Sequence, residues 1–267
     1  MSTAPIQPPR DLRAEMRSGR RLLGTFVKLP AAELLDIVAG VGMDFALIDL
    51  EHSQLSEADA RALARYAFAL GLPAIVRIPE VDRGAINRLL EAGASGIQLS
   101  TVRRVSEAQA LVRATRYAPE GRRSISLAHP VAGYGARSIA AYLDAQREAS
   151  PLLVGQIETA TTDDSLGAIC AAGLDAAFVG VADLSVDMGL PGQYQDERLQ
   201  ARVAEVAAAA RAAHIAHGLY ANAPQEAMNA FHAGSQYVAL SSDLTLLRAA
   251  FARLRAEVDF ESQGGAS

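Results

Sequence analysis

The chain has 267 residues, a net charge of −5, and 50% hydrophobic residues. This composition is typical of a globular protein with a large core, and it excludes the basic surface by which proteins bind nucleic acid. The sequence has no apolar run of membrane-spanning length and no signal-peptide pattern, and its single cysteine, Cys170, excludes an intrachain disulfide, so we expect a cytoplasmic protein.

Short apolar strands alternate with amphipathic helices along the chain. In chain order, the strand and the helix of each unit are predicted at 23–29 and 30–42, 45–50 and 56–71, 73–78 and 83–93, 95–100 and 106–118, 151–159 and 161–173, 175–180 and 197–213, 214–220 and 224–234, and 235–241 and 242–258. A loop-rich stretch, 119–135, and an additional helix, 137–149, separate the fourth unit from the fifth. Ser56 with Asp59 predicts a capping box at the start of the second helix.

Eight strand–helix units in a chain of this length predict a TIM (β/α)8 barrel, which is an α/β fold. A doubly wound open sheet is the alternative, but the eightfold count favours a closed barrel. We expect one domain over residues 1–267, with its core from about 20 to 257 and a short flexible tail after 260. In such barrels the chemistry takes place at the carboxyl ends of the strands.

Polar side chains concentrate at the predicted ends of strands 1 to 6. They are Lys28, Asp49, Glu51, His52, Arg77, Gln156, Glu158 and Asp183. Charged groups are costly to bury at the end of an apolar strand unless they are paired or used. Two acids and an imidazole at the end of strand 45–50 therefore indicate a functional site at this end of the barrel.

Glu158 and Asp183 follow neighbouring strands, so their carboxylates can share one divalent cation. Mg²⁺ and Mn²⁺ typically take one or two protein carboxylates and fill their remaining positions with water or substrate oxygens. Two alternatives stay open. Asp183 can cap the helix that begins at this point, and Glu158 can pair with an arginine.

Arg77 and His52 are the candidates for catalysis. The guanidinium of Arg77 can bind a carboxylate or an enolate through two parallel hydrogen bonds, or it can form a salt bridge with Asp49 or Glu51. The imidazole of His52 is a candidate general base, because a nearby carboxylate fixes its tautomer and raises its basicity; a structural histidine is the alternative. Among the other histidines only His129, on the long loop, remains a candidate.

Several motifs occur in the order and spacing of one known family. They are "IDLEH", "VRIP", "LLEAGASGI", "ATRYAPEGRRS", "AGYG", "QIET" and "VGVADLS". On this set the chain resembles, over residues 10 to 255, the HpcH/HpaI family of metal-dependent (class II) hydroxy-ketoacid aldolases. The resemblance implies a barrel similar to those of the phosphoenolpyruvate-mutase superfamily, in a hexamer whose protomers exchange their last helix.

The resemblance also implies an activity, the reversible cleavage of a 4-hydroxy-2-oxoacid to pyruvate, or a close relative, and an aldehyde. It assigns the metal, which would be Mg²⁺, Mn²⁺ or Co²⁺, to Glu158 and Asp183. It places Gln156 and the backbone of Ala182, beside Asp183, against the oxoacid. Arg123 would lie on a loop that faces the aldehyde.

The remaining implied roles concern the reaction itself. His52 would be the base that removes the 4-hydroxyl proton, and Glu91 would raise its basicity. Arg77 would stabilise the enolate that forms as the C3–C4 bond breaks. The chain departs from the family where Val181 replaces a proline, Phe26 a tryptophan and Glu91 an aspartate, and where "LSTV" replaces a proline-containing segment after strand 4.

Three other functions remain open. A Schiff-base aldolase needs a lysine in the site, and Lys28, the only lysine in the sequence, is the candidate. A CoA-thioester lyase of the citrate-lyase-β kind would also use a metal ion to stabilise an enolate. A barrel that binds an oxoacid without catalysis belongs to a different class altogether.

Overall fold

The computed structural model describes residues 9–258, which form a closed barrel of eight parallel strands surrounded by helices. The strands are β1 (Leu22–Val27), β2 (Phe45–Asp49), β3 (Ala74–Ile78), β4 (Gly96–Leu99), β5 (Leu152–Ile157), β6 (Ala176–Val179), β7 (Ala216–Ala221) and β8 (Tyr237–Ser242). The helices are α1 (Leu12–Arg17), α2 (Glu33–Gly40), α3 (Glu57–Leu70), α4 (Arg83–Ala92), α5 (Val105–Thr115), α6 (Ile139–Glu148), α7 (Leu166–Cys170), α8 (Val181–Asp187), α9 (Glu197–Ala212), α10 (Pro224–His232) and α11 (Asp243–Glu257). A short 3₁₀ helix, Pro130–Ala132, lies in the loop before α6.

The strands pair in chain order, and β8 closes on β1 with Leu22 beside Tyr237. This confirms the predicted TIM barrel and its eight strands. β7 begins at Ala216 rather than at 214, because His214 adopts a left-handed φ of 56° and the N–H of Ile215 bonds back to α9. The flexible tail that we expect after 260 lies outside the described residues.

Aromatic side chains fill the interior of the barrel, as expected of a packed core rather than a pore. Tyr237 stacks on Phe45 with ring centroids 4.6 Å apart and meets Phe178 edge-on at 5.6 Å. The hydroxyl of Tyr237 donates to Gln98 at 3.2 Å, and the amide of Gln98 donates to Gln156 at 2.6 Å. The buried polar groups of the interior are thus satisfied by a series of hydrogen bonds, which ends at the predicted site residue Gln156.

The amino-terminal helix α1 closes the barrel at the end opposite to the predicted site. Asp11 caps it, and Leu12 and Met16 are buried against the interior cluster that includes Leu22 and Phe45. Sequence reasoning missed this helix and placed the start of the core at about 20.

The last helix, α11, is attached to the barrel only near its start. The buried carboxylate of Asp243 accepts the backbone N–H groups of Lys28 and Leu29 at 2.8 and 2.9 Å. Beyond this turn the helix is exposed. Its apolar face holds Leu244, Leu247, Phe251 and Leu254. No helix within residues 9–258 combines the length and the hydropathy that a membrane crossing requires.

Candidate active site

The carboxyl ends of the strands surround an open cavity of about 280 Å³, which we call the mouth cavity. Its lining residues are Phe26, Lys28, His52, Arg77, Gln156, Phe178, Gly180, Val181, Ala182, Asp183, Tyr220, Asn222, Ser242 and Thr245. The fold therefore brings most of the predicted site residues to one cavity.

Asp49, at the end of β2, is the fully buried centre of a charged network beside this cavity. Its carboxylate accepts two hydrogen bonds from Arg77, at 2.8 and 2.6 Å, and lies 2.9 Å from the ammonium of Lys28. Burial opposes the ionisation of Asp49, but these two cations outweigh it and hold its pKa well below the usual range. The same carboxylate accepts the backbone N–H groups of Glu51 and His52, so it also fixes the loop after β2.

Arg77 forms the salt bridge that the sequence left open, and Glu51 is its second carboxylate partner at 3.1 Å. Its guanidinium carbon lies 4.8 Å from the ring centroid of Phe26, a cation–π contact. The side chain is buried, yet it lines the mouth cavity. It thus presents to the cavity a positive charge that cannot reorganise.

His52 lies at the rim of the mouth cavity, with 54% of its side chain exposed. Its Nε2 is 3.9 Å from the carboxylate of Glu51, and its backbone carbonyl accepts from the Lys28 ammonium at 3.0 Å. A structural histidine would be buried with both ring nitrogens paired. This exposed imidazole can instead reach a molecule in the cavity.

Glu158, at the end of β5, is buried and held by neutral donors rather than by an arginine. The backbone N–H and the hydroxyl of Thr101 donate to one oxygen at 2.9 and 2.5 Å, and the amide of Gln156 donates to the other. Burial raises the pKa of Glu158; the hydrogen bonds oppose this rise, and the charges of Glu51 and Asp183 add to it.

Asp183 lies exposed in the first turn of α8, and Gly180 rather than Asp183 is the N-cap of that helix. A side chain at Gly180 would overlap the carboxylate of Glu158 and crowd the amide of Gln156. Only glycine allows β6 to end this close to Glu158. Gly180 and Asp183 line the mouth cavity, and the carboxylate of Glu158 lies directly behind this wall, where the charge of Asp183 acts on it.

The donor set at this wall fits a hard divalent cation. The charge of Asp183 already raises the pKa of Glu158, and a cation shared by the two carboxylates would remove this repulsion. Within residues 9–258 no group of three or more His, Cys, Asp or Glu side chains could hold a metal ion. Water or substrate oxygens would therefore complete the coordination, as is usual for Mg²⁺.

Glu91 and Arg123 do not line the mouth cavity of their own chain. They lie outside the barrel in a group that we call the outer cluster, where Asn87 donates to Glu91 at 3.0 Å and accepts from Arg123 at 3.1 Å. His129 is buried in the same region, and its Nε2 lies 2.9 Å from a loop carbonyl. The contact between Glu91 and His52 that the resemblance implies is therefore absent within residues 9–258 of one chain.

Sequence reasoning also missed residues that the fold brings to the site. Strands β7 and β8 and the residues after them contribute Tyr220, Asn222, Ser242 and Thr245 to the mouth cavity, and these uncharged side chains gave no signal in the sequence. Thr101, which holds Glu158, has a left-handed φ of 49°. Nothing in its sequence context predicted that conformation.

The sequence profile of one family, HpcH/HpaI aldolase/citrate lyase, matches residues 22–250. The chain is 30% identical to a hydroxypyruvate/pyruvate aldolase of Sagittula stellata, over 94% of this chain and 98% of that protein. It is 33% identical to a 4-hydroxy-2-oxo-heptane-1,7-dioate aldolase of Shigella sonnei, over 92% of this chain and 94% of that protein. A solved HpcH/HpaI aldolase from Desulfitobacterium hafniense is similar in fold, with a TM-score of 0.87 at 26% identity, and the match covers 92% of this chain and 95% of that one.

Proposed function

The chain belongs to the HpcH/HpaI aldolase/citrate lyase family and is a carbon–carbon lyase, and we propose that its reaction is the reversible, metal-dependent cleavage of a 4-hydroxy-2-oxoacid to pyruvate, or a close relative, and an aldehyde. One observation carries this proposal. The mouth cavity brings together a fixed guanidinium, an accessible imidazole and the acid Asp183, and a second acid, Glu158, is buried directly behind the same wall.

Glu158 and Asp183 would hold Mg²⁺, Mn²⁺ or Co²⁺. When bound, such an ion acts as a Lewis acid toward the 2-oxo and carboxylate oxygens of the substrate. The amide of Gln156 donates to one oxygen of Glu158, so Gln156 would orient the metal-binding carboxylate as well as line the cavity. The backbone of Ala182, beside Asp183, would position the oxoacid.

The other residues act on protons and charge. His52 would take the proton of the 4-hydroxyl group, because its exposed ring can reach a substrate in the mouth cavity. The C3–C4 bond then breaks, the aldehyde leaves, and its bonding electrons remain on the pyruvate fragment as an enolate. Arg77 would stabilise that negative charge, since Asp49 and Glu51 hold its guanidinium in place.

Lys28 is the alternative nucleophile, but its surroundings do not favour a Schiff base. Its ammonium lies 2.9 Å from the Asp49 carboxylate and donates to the carbonyl of His52 at 3.0 Å. A lysine attacks a carbonyl with the lone pair of an amine that is free of such contacts, and both contacts hold the side chain of Lys28 away from that role.

The active assembly that we propose is a homo-oligomer, a hexamer in which protomers exchange α11, because no other part of residues 9–258 covers the apolar face of that helix. In this assembly the outer cluster of one copy would stand beside the mouth cavity of another. Glu91 would then raise the basicity of His52, and Arg123 would face the aldehyde.

We propose the cytoplasm as the compartment, since Cys170, the one cysteine, is buried and free.

The experiment is a cleavage assay with 4-hydroxy-2-oxoacids in the presence and absence of chelator. Chelation should abolish cleavage, and Mg²⁺, Mn²⁺ or Co²⁺ should restore it. Borohydride treatment in the presence of pyruvate should leave Lys28 unmodified. Cleavage that survives chelation while Lys28 becomes labelled contradicts the proposal.

A CoA thioester of a hydroxy acid is assayed in parallel under the same metals. Turnover of the thioester alone would assign the chain to the citrate-lyase side of its family. Exchange of deuterium into pyruvate without any cleavage would show enolate chemistry with another acceptor. The absence of both reactions with every oxoacid and metal would leave a binding barrel.

A further inference from the structure

A second cavity, of about 420 Å³, lies outside the barrel between α9 and α10. Successive side chains of β7 point in opposite directions, so every second one faces this cavity. Tyr220 faces the interior cluster, whereas His217 and Leu219 line the gap between the two helices. It shares Val181, Tyr220 and Asn222 with the lining of the mouth cavity, and none of the predicted site residues borders it.

His217 is the polar centre of this helix-gap cavity. It is only 6% exposed, and its Nε2 has no hydrogen-bond partner in residues 9–258. Its Nδ1 lies 3.0 Å from the hydroxyl of Ser235, which is itself buried. An unpaired polar atom that is buried beside a cavity is costly, unless a bound molecule supplies the partner.

The pairing with Ser235 decides which ring nitrogen carries the proton. If Nδ1 donated, both the hydroxyl hydrogen of Ser235 and the lone pair of Nε2 would lack a partner. If the hydroxyl donates to Nδ1, only the N–H at Nε2 is left unpaired. The second arrangement leaves fewer buried groups unsatisfied, so His217 offers a donor to the cavity.

Arg211, in the last turn of α9, supplies a positive charge at the same end of the cavity. It forms no ion pair with any residue in the described part of the chain. Burial, and then the charge of Arg211, lower the pKa of His217 to about 4, so the imidazole is neutral at pH 7. A neutral N–H donor and an unpaired guanidinium together form a receptor for one carboxylate.

The rest of the cavity is suited to an apolar body. Leu199, Val203 and Ala207 of α9 face Ala230 of α10 across it. The one acid in the wall, Glu226, lies at the other end, where it accepts the backbone N–H of Asn222 at 2.7 Å. A carboxylate would therefore be repelled from that end and drawn toward Arg211.

We propose that the helix-gap cavity is a binding site for a small carboxylic acid with an aromatic or branched aliphatic body. The carboxylate lies between Arg211 and the Nε2–H of His217, and the apolar body lies between α9 and α10. The site is separate from the proposed catalytic chemistry, so its binding can be measured whether or not the aldolase proposal holds.

The probes are 3-phenylpropanoate and 4-methylpentanoate, which carry no 2-oxo group, with 3-phenylpropanamide as the uncharged match. Binding to the full chain is measured by calorimetry and by ligand-observed NMR. The acids should bind saturably in the millimolar range or tighter, and the amide should bind about tenfold more weakly or worse.

Two variants locate the bound acid without touching a buried polar group. Arg211→Gln removes the charge, and Ala204→Phe places an aromatic ring in the cavity from an exposed position on α9. Each should weaken binding of the acids about tenfold or more. Ala208→Phe, exposed on the same helix but outside the cavity, should leave binding unchanged.

Four results would overturn the proposal. The amide could bind as tightly as the acid, or both variants could bind like the parent chain. Binding could also be lost on addition of pyruvate or in Arg77→Lys, which would place the probe in the mouth cavity. A second copy that covers the helix gap would prevent uptake of either acid, and this result also counts against the site.

Discussion

Arg77 is the residue whose surroundings argue most directly for enolate chemistry. Two carboxylates and the ring of Phe26 hold it, so it cannot move away when negative charge develops in front of it. Lysine keeps the charge but loses the planar fork that binds Asp49. Arg77→Lys should therefore fold and bind metal, yet lose about 10²-fold in turnover, the typical loss for one such donor.

The measurement is cleavage together with deuterium exchange into the methyl group of pyruvate, which needs the enolate but no aldehyde. Both should slow together. If both rates stay near those of the parent chain while the melting temperature falls, Arg77 only pairs with Asp49 and Glu51.

His52 is expected to act on a proton and not on the metal. His52→Ala should lower turnover by about 10²–10⁴-fold, the usual contribution of a positioned acid–base group. Calorimetric titration with Mn²⁺ should give nearly the parent affinity, because the exposed ring contacts neither Glu158 nor Asp183. Loss of metal in this variant would make His52 a ligand and would leave the base unassigned.

Glu158 links metal binding to pH. Its pKa is raised, chiefly by burial, so protons compete with metal for this carboxylate, and Mn²⁺ affinity should fall as the pH decreases toward and through that pKa. The pH dependence of folding stability without metal has the opposite direction: metal affinity rises with pH, whereas stability falls. The folded state binds the proton more tightly than the unfolded state, so the free energy of unfolding should decrease as pH rises through this range.

Glu158→Gln keeps the shape of the side chain but cannot ionise. This variant should lose Mn²⁺ affinity, and its unfolding should lack this part of the pH dependence. Thermal melts at several pH values measure that dependence. An unchanged Mn²⁺ affinity in this variant would place the ion elsewhere.

At the scale of single elements, the end of β6 is the segment that admits least change. Gly180→Ala is compatible with the backbone, whose φ is −81°, but its methyl group would push aside Glu158 and Gln156. The variant should fold and should lose most of its metal affinity and turnover. Gly167→Ala, in α7 where a methyl group meets nothing within 4 Å, should instead raise stability by about 0.5–1 kcal/mol.

Calorimetry with Mn²⁺ and thermal melts on the two glycine variants separate these effects. Equal metal affinity in Gly180→Ala and the parent chain would show that the carboxylate can shift without cost.

The elements divide by how locally they are specified. The eight strands and the capping box of Ser56 could be predicted, because apolar runs and cap residues are signals within a few positions. Helices α1 and α8 could not, because each is too short to show a helical period and is stabilised by what it packs against. Leu12 and Met16 make α1 a helix by closing the barrel, a contact that no local pattern contains.

At the scale of the whole molecule, the exposed face of α11 is the strongest sign of a larger assembly. Phe251, with 68% of its surface exposed, lies on the same face as Leu247 and Leu254. Phe251→Glu should dissociate the proposed homo-oligomer, since burial of such a ring contributes about 2 kcal/mol per copy. Ala249→Glu, on the opposite face of the helix, should leave the assembly intact.

Light scattering coupled to size-exclusion chromatography gives the mass of each variant. A parent chain that runs as a monomer, or a Phe251→Glu variant of unchanged mass, contradicts the proposed exchange of α11. If Glu91 acts across the interface, the dissociated variant should also lose turnover.

Two site residues that were assigned only by resemblance, Glu91 and Arg123, belong to this scale. Lys28, Asp49, His52 and Arg77 converge within one barrel, so their strand positions were enough to predict that they meet. Glu91 and Arg123 lie with Asn87 in the outer cluster, away from these four residues. Strand position alone could not predict where Glu91 and Arg123 act, because in the proposed assembly their contacts with the site would be made by a different copy of the chain.

The position of Lys28 has a practical consequence. It is the only lysine in the chain, and its amine sits between a buried acid and the rim of the mouth cavity. Apart from a terminal amine, an acylating reagent has one side chain to modify, and a lysine-specific protease has one bond to cut. Coupling the protein to a solid support through lysine would therefore attach it at the rim of the mouth cavity.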